Sequence, residues 1–88
     1  MALRKISHPV RQLPYMTDLD EVTTTGVWNK PHNYMANGHP TGDAGLLEVH
    51  APENSQVYQR FTTYGSGPMF YRGKQGGVWG PWKKILTE

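Results

Sequence analysis

Hydrophobic and polar positions alternate most regularly in "QVYQRFTTY", residues 56–64. Strict alternation is the signature of a strand with one buried face. It places Val57, Gln59, Phe61 and Thr63 on one side and Tyr58, Arg60, Thr62 and Tyr64 on the other. The second face is amphipathic rather than plainly polar, so it suits contact with another sheet or subunit. Upstream, "GLLEVHA" alternates less perfectly and reads as a strand with Leu47 and Val49 on one face, and "PENS" at 52–55 is the turn between the two. Downstream, "GSGP" at 65–68 turns the chain into "MFYR". The glycine-rich "GKQGG" then makes a tight hairpin into "VWGPWKKIL". Pro81 cannot donate to a ladder, so this last strand must be bulged or at an edge there.

The N-terminal third follows different rules. Pro9 and Pro14 forbid a regular helix in residues 1–16, which form an extended lead-in. In "TDLDEVTTTGVW", Thr17 followed by Asp20 makes a short-armed capping pair. One helical turn near residues 18–22 would point Leu19 and Val22 inward. The β-branched threonines end that turn, and Gly26 re-aims the chain into a strand around Val27–Asn29. Residues 29–45, "NKPHNYMANGHPTGDAG", form a long connection rich in turn formers. About five short strands with Gly/Pro turns make the fold mainly β, a small antiparallel sandwich or barrel-like knob over residues 17–88.

Composition sharpens this picture. Eighty-eight residues make one domain whose core is small. With no cysteine, neither disulfides nor zinc–thiolate sites can staple it. Dense aromatic packing or oligomerisation must do so instead, and the chain holds three Trp, five Tyr and two Phe. The net charge of +2 is spread over both ends, in Arg4, Lys5 and Arg11 and then Arg72, Lys74, Lys83 and Lys84. Interleaved acids deny it the stripe that nucleic acid requires. No apolar run is long enough for a membrane span.

Catalytic and metal chemistry find little support. Ser7, Ser55 and Ser66 stand in no nucleophile elbow, and the carboxylates Asp18, Asp20, Glu21, Asp43, Glu48 and Glu53 mostly sit at turns. From His8, the steps to His32, His39 and His50 are 24, 7 and 11, which match no compact zinc pattern. The expectation is a protein that is not an enzyme, with no cofactor and no resident metal. A trimer axis could still gather one histidine from each chain around an ion.

Three segments in order resemble the knob domains of phage tail fibres, the pyocin-knob type. The first is "DLDEVTTTGVW", with Asp18, Leu19, Asp20, Val22, Thr23, Thr24, Gly26, Val27 and Trp28. The second is the strand pair "GLLEVHAPENSQVYQRFTTY". The third is the closing hairpin "MFYRGKQGGVWGPWKKI", with Tyr71, Arg72, Gly77, Trp79, Pro81, Trp82 and Lys83. The resemblance spans roughly residues 17–86. It implies a homotrimeric receptor-binding knob of the virion tail, assembled in a host cytoplasm and associated with other tail proteins. Such a knob would hold host-surface carbohydrate by weak multivalent contacts; the alternative is a ligand-free trimerisation or assembly cap. The knob usually belongs to a longer fibre, so the chain is either a piece of one or a small separate virion protein.

Trp28, Phe61, Trp79 and Trp82 are the expected core plugs, each ring burying about 150–250 Å². Gly80-Pro81 can put Trp79 and Trp82 on one side or swing one outward as a platform for sugar stacking. Arg72 is placed to stack on a tryptophan face, and Thr23 and Thr24 to satisfy local backbone groups. The candidate ligand residues are Asn33, Tyr34, Asn37, His39 and Asp43 in the long loop, together with Trp82. The loop is equally suited to sealing a contact with a sister chain.

Overall fold

A computed structural model describes residues 10–53, 55–65 and 67–85. The first part of the lead-in, with Arg4, Lys5, Ser7 and His8, lies outside the described residues, as does Ser66. The chain is mainly β, with strands β1 (Val10–Gln12), β2 (Gly26–Lys30), β3 (Gly45–Glu53), β4 (Gln56–Thr63), β5 (Met69–Gln75), β6 (Val78–Trp79) and β7 (Lys83–Ile85). They form one seven-stranded sheet in the order β1-β2-β3-β4-β5-β6, with β7 also on β5. Every pairing is antiparallel except β1 with β2, where Val10 lies beside Val27.

The alternation read from the sequence holds in the middle of the sheet. Val57, Gln59, Phe61 and Thr63 are buried along β4, and Gly45, Leu47 and Val49 along β3. Cross-strand register then stacks Trp28, Leu47, Phe61 and Phe70 in one row across the inner face. Trp28, Leu47 and Phe61 make the core together with Leu13, Leu19, Val49 and Val57, and the half-buried Phe70 packs against it. Each fully buried large apolar side chain contributes about 1.5–3 kcal/mol.

The layer over this face is not a second sheet. It is the connection from β1 to β2, which brings in Leu13, the 3-10 turn Leu19–Glu21 and Val22, joined by Trp79 and Trp82. The short helical turn is present, but its cap differs from expectation. Asp18 is the cap, its Oδ1 accepting the Asp20 N–H at 2.9 Å. The Thr17 hydroxyl instead donates to the Pro14 carbonyl at 2.6 Å. The shorter Asp side chain reaches two residues ahead, which suits a tight 3-10 turn. The threonine hydroxyl that holds a backbone group nearby is that of Thr25, which accepts the Ala51 N–H at 2.9 Å.

The closing hairpin has a two-residue turn, with Gln75 opposite Val78 and φ of +61° and +81° at Gly76 and Gly77. Positive φ at both positions is the requirement of a type I′ turn, which only residues such as glycine meet cheaply. The last strand is broken at Gly80-Pro81-Trp82 into β6 and β7, as the proline demands.

Candidate functional site

The long loop leaves the sheet at Lys30, and strand parity sends that lysine inward beside Trp28. Lys30 is fully buried. Its Nζ donates to His39 Nδ1 and to the Thr41 carbonyl, both at 3.1 Å, and lies 4.8 Å from the Tyr34 ring centre. His39 Nε2 donates to the Thr17 carbonyl at 2.8 Å. That bond fixes the proton on Nε2 and leaves Nδ1 as an acceptor, so the ring is held neutral. Burial pulls His39 below the usual histidine range, only partly opposed by its bond to the Thr17 carbonyl. Burial also pulls Lys30 below the usual lysine range, with Asp43 acting in the opposite direction.

A second anchor holds the loop from the other side. The Asn37 side-chain amide donates to Asp18 Oδ1 at 2.9 Å and to Asp20 Oδ2 at 3.1 Å, and the Asn37 backbone carbonyl accepts the Leu19 N–H at 3.1 Å. Gly38 follows at φ +81°. A β-carbon there would stand 2.7 Å from Asp20 Oδ1, so no larger residue fits. The Gly38 carbonyl accepts the Trp82 indole N–H at 2.7 Å.

Behind this anchor lies Arg72, also buried. Its Nε donates to Gln59 Oε1 at 2.8 Å, and Gln59 Nε2 donates to the Leu19 and Val22 carbonyls at 2.8 and 2.9 Å. Arg72 Nη1 is 2.8 Å from Asp20 Oδ1, an ion pair. The guanidinium lies 3.9 Å from the Trp79 ring centre and 4.6 Å from that of Trp82. Burial lowers the Arg72 pKa, and Asp20 and then Asp18 raise it again. Breaking β6 from β7 therefore puts both indoles on one side, gripping one arginine. The Trp79 N–H completes the arrangement by donating to the Asp20 carbonyl at 3.2 Å.

The candidate ligand residues divide accordingly. Asn37, His39 and Trp82 turn their polar atoms into these anchors. Asn33 Oδ1 accepts the Ala44 N–H at 2.8 Å, while Asp43 accepts the Thr41 hydroxyl at 3.2 Å; both residues are exposed. Tyr34 is half-buried, its ring centre 4.7 Å from that of Tyr15. Tyr15 is 73% exposed, which gives this end of the molecule an aromatic platform beside loop amides and a carboxylate. Among the described residues, no three His, Cys, Asp or Glu side chains gather as a metal site would require.

Sequence reasoning passed over Lys30, Gln59 and Tyr15. Lys30 lies two residues beyond Trp28 in the same strand, so parity alone was enough to turn it inward. Gln59 sits opposite Arg72, a register that only the folded sheet reveals.

No protein-family model matches the chain, and no curated protein sequence does. Solved structures do. The selenomethionine structure of an N-truncated R2-type pyocin tail fibre superposes with a TM-score of 0.81 at 23% identity, over 98% of this chain and 35% of the fibre chain. A C-terminal part of a P. aeruginosa R2 pyocin fibre gives 0.81 at 24% identity, over 94% and 23% of the two chains. The corresponding part of a P. aeruginosa R1 pyocin fibre gives 0.80 at 20% identity, over 96% and 23%. The chain thus has the fold of a pyocin tail-fibre domain and spans between about a quarter and a third of those fibre chains.

Proposed function

We propose that this chain is a receptor-binding knob of a phage or pyocin-type tail fibre, part of a virion tail, that attaches to carbohydrate on a host cell surface. The observation that carries the reading is the match of nearly the whole chain to a pyocin fibre, with a TM-score of 0.81. The exposed Tyr15 ring beside half-buried Tyr34, with Asn33 and Asp43 on the same loop as Tyr34, supplies a surface of the kind sugars bind. Each hydrogen bond to a sugar would contribute a net ~0.5–1.5 kcal/mol, so one site is weak. A homotrimer presenting three sites gains avidity of roughly 10²–10⁴ without new contacts. The knob assembles in the host cytoplasm with other tail proteins and performs no catalysis.

One observation favours a second reading, a trimerisation or assembly cap without ligand. The outer sheet face has no layer over it among the described residues, and it carries exposed Val10, Tyr58 and Val78. Adsorption to a panel of bacterial strains separates the two. The receptor binder keeps its oligomeric mass in the Tyr15→Ala, Tyr34→Ala double variant and loses at least tenfold in adsorption. The cap shows no adsorption by the wild type and loses its oligomer when the outer face is substituted.

A further inference from the structure

Lys30 turns inward, so its neighbour Asn29 faces outward, on the side of the sheet away from the core. The parallel register sets Gln12 beside it, and Asn29 Nδ2 donates to Gln12 Oε1 at 3.0 Å. Asn29 Oδ1 accepts the hydroxyl of Tyr64, the residue just past the end of β4, two strands away. Each side chain thereby settles the orientation of the next. Among the described residues, this leaves the Gln12 amide N–H groups as donors and a lone pair on the Tyr64 oxygen as an acceptor. The Tyr64 ring is pinned twice, by its hydroxyl and by its backbone N–H, which donates to the Ala44 carbonyl at 3.1 Å. It therefore lies across the start of β3, and at 51% exposure it shows one face outward.

A single residue joins this ring to the loop platform. Ala44 accepts the Tyr64 N–H and donates its own N–H to Asn33 Oδ1 at 2.8 Å, and Asn33 directly precedes Tyr34. We infer that Tyr64, with Asn29 and Gln12, is a second sugar subsite beside the Tyr15–Tyr34 platform, and that the ligand is a neutral oligosaccharide occupying both. A pyranose has an apolar C–H face, which suits an open tyrosine ring, and a rim of hydroxyls that accept from an amide and donate to a phenol oxygen. Charge gives the class. Asp43 is the one charged side chain exposed on this strip, while Lys30 is fully buried and bonded to His39 and Thr41. Arg60, on the same face of the sheet, is held by Glu48 at 3.0 Å. A uronate or phosphate would thus meet a carboxylate and find no exposed lysine or arginine on the strip. The inference rests on the attachment reading and names its ligand class.

Chain length provides the test. The probes are immobilised bacterial polysaccharides, one set neutral and one uronate-bearing, with mono- and disaccharide fragments of the neutral set as soluble competitors. The wild type is expected to retain a neutral polysaccharide roughly tenfold better than the uronate-bearing set, and the disaccharide to compete roughly tenfold better than the monosaccharide. Tyr64→Ala removes the disaccharide's advantage and leaves competition by the monosaccharide as it was, at unchanged melting temperature and oligomeric mass. Gln12→Ala, at an exposed position, lowers the advantage by about threefold or more and carries the test if Tyr64→Ala should fail to fold. A disaccharide advantage equal to wild type in both variants, or absent from the wild type, overturns the second subsite and leaves the attachment reading intact. Stronger retention of the uronate-bearing set overturns the inference in the same way. Retention of no set by the wild type overturns both readings. A changed oligomeric mass in Tyr64→Ala shows a second copy covering the strip and also overturns the inference.

Discussion

Protonating His39 would set an imidazolium against the Lys30 ammonium, now 3.1 Å away, with the Arg72 charge disfavouring it further and Asp18 in partial opposition. Burial already holds the folded-state pKa of His39 down, whereas the unfolded ring titrates near ~6.5. Above that pH both states carry a neutral ring and the group contributes no pH dependence. Below it the unfolded chain takes up the proton first, so stability falls as the solution is acidified. Urea unfolding at pH 7.5 and 5.5 is expected to show this loss in the wild type, and His39→Gln is expected to reduce it. An equal slope in both proteins would remove His39 as the cause. Since His39 ties the long loop to the segment before β2, acid would loosen that loop ahead of the sheet.

Among the elements, the β5–β6 hairpin separates conformational from steric demands on glycine. Gly77 has φ +81°, where a β-carbon costs about 1–2 kcal/mol. Gly73 has neither positive φ nor a crowded neighbour. Chemical denaturation should therefore show Gly77→Ala destabilised by about 1–2 kcal/mol and Gly73→Ala within about 0.5 kcal/mol of wild type. The same contrast explains what could be read from the sequence. Strand β4 was legible because alternation is local and its face is buried residue by residue. The break at Pro81 was legible because a missing donor is a property of one residue. Strand β1 was not, since three exposed residues carry no pattern and gain their partner only by parallel pairing with a distant strand. The gap at Gly73 was equally hidden, because it opens only when register sets that glycine against Tyr58. For the candidate site, residue types in the loop marked Asn33, Tyr34, Asn37, His39 and Asp43, with Trp82, as ligand contacts, but hydrogen bonding turns the polar atoms of Asn37, His39 and Trp82 inward.

For the molecule as a whole, an open sheet has two edges, and each presents backbone groups without partners. Among the described residues, one edge is β1. The other is β6 and β7, interrupted by Pro81 and carrying the exposed Lys83 and Lys84 within β7. A proline and lysines on an edge are devices that discourage a neighbouring strand from adding on. Pro81→Val with Lys83→Thr should mend this edge, and light scattering is expected to show mass rising with concentration where the wild type stays at one size. The interruption that brings two indoles onto Arg72 therefore has a further effect: copies of this protein can stand shoulder to shoulder at high density without zipping into fibrils.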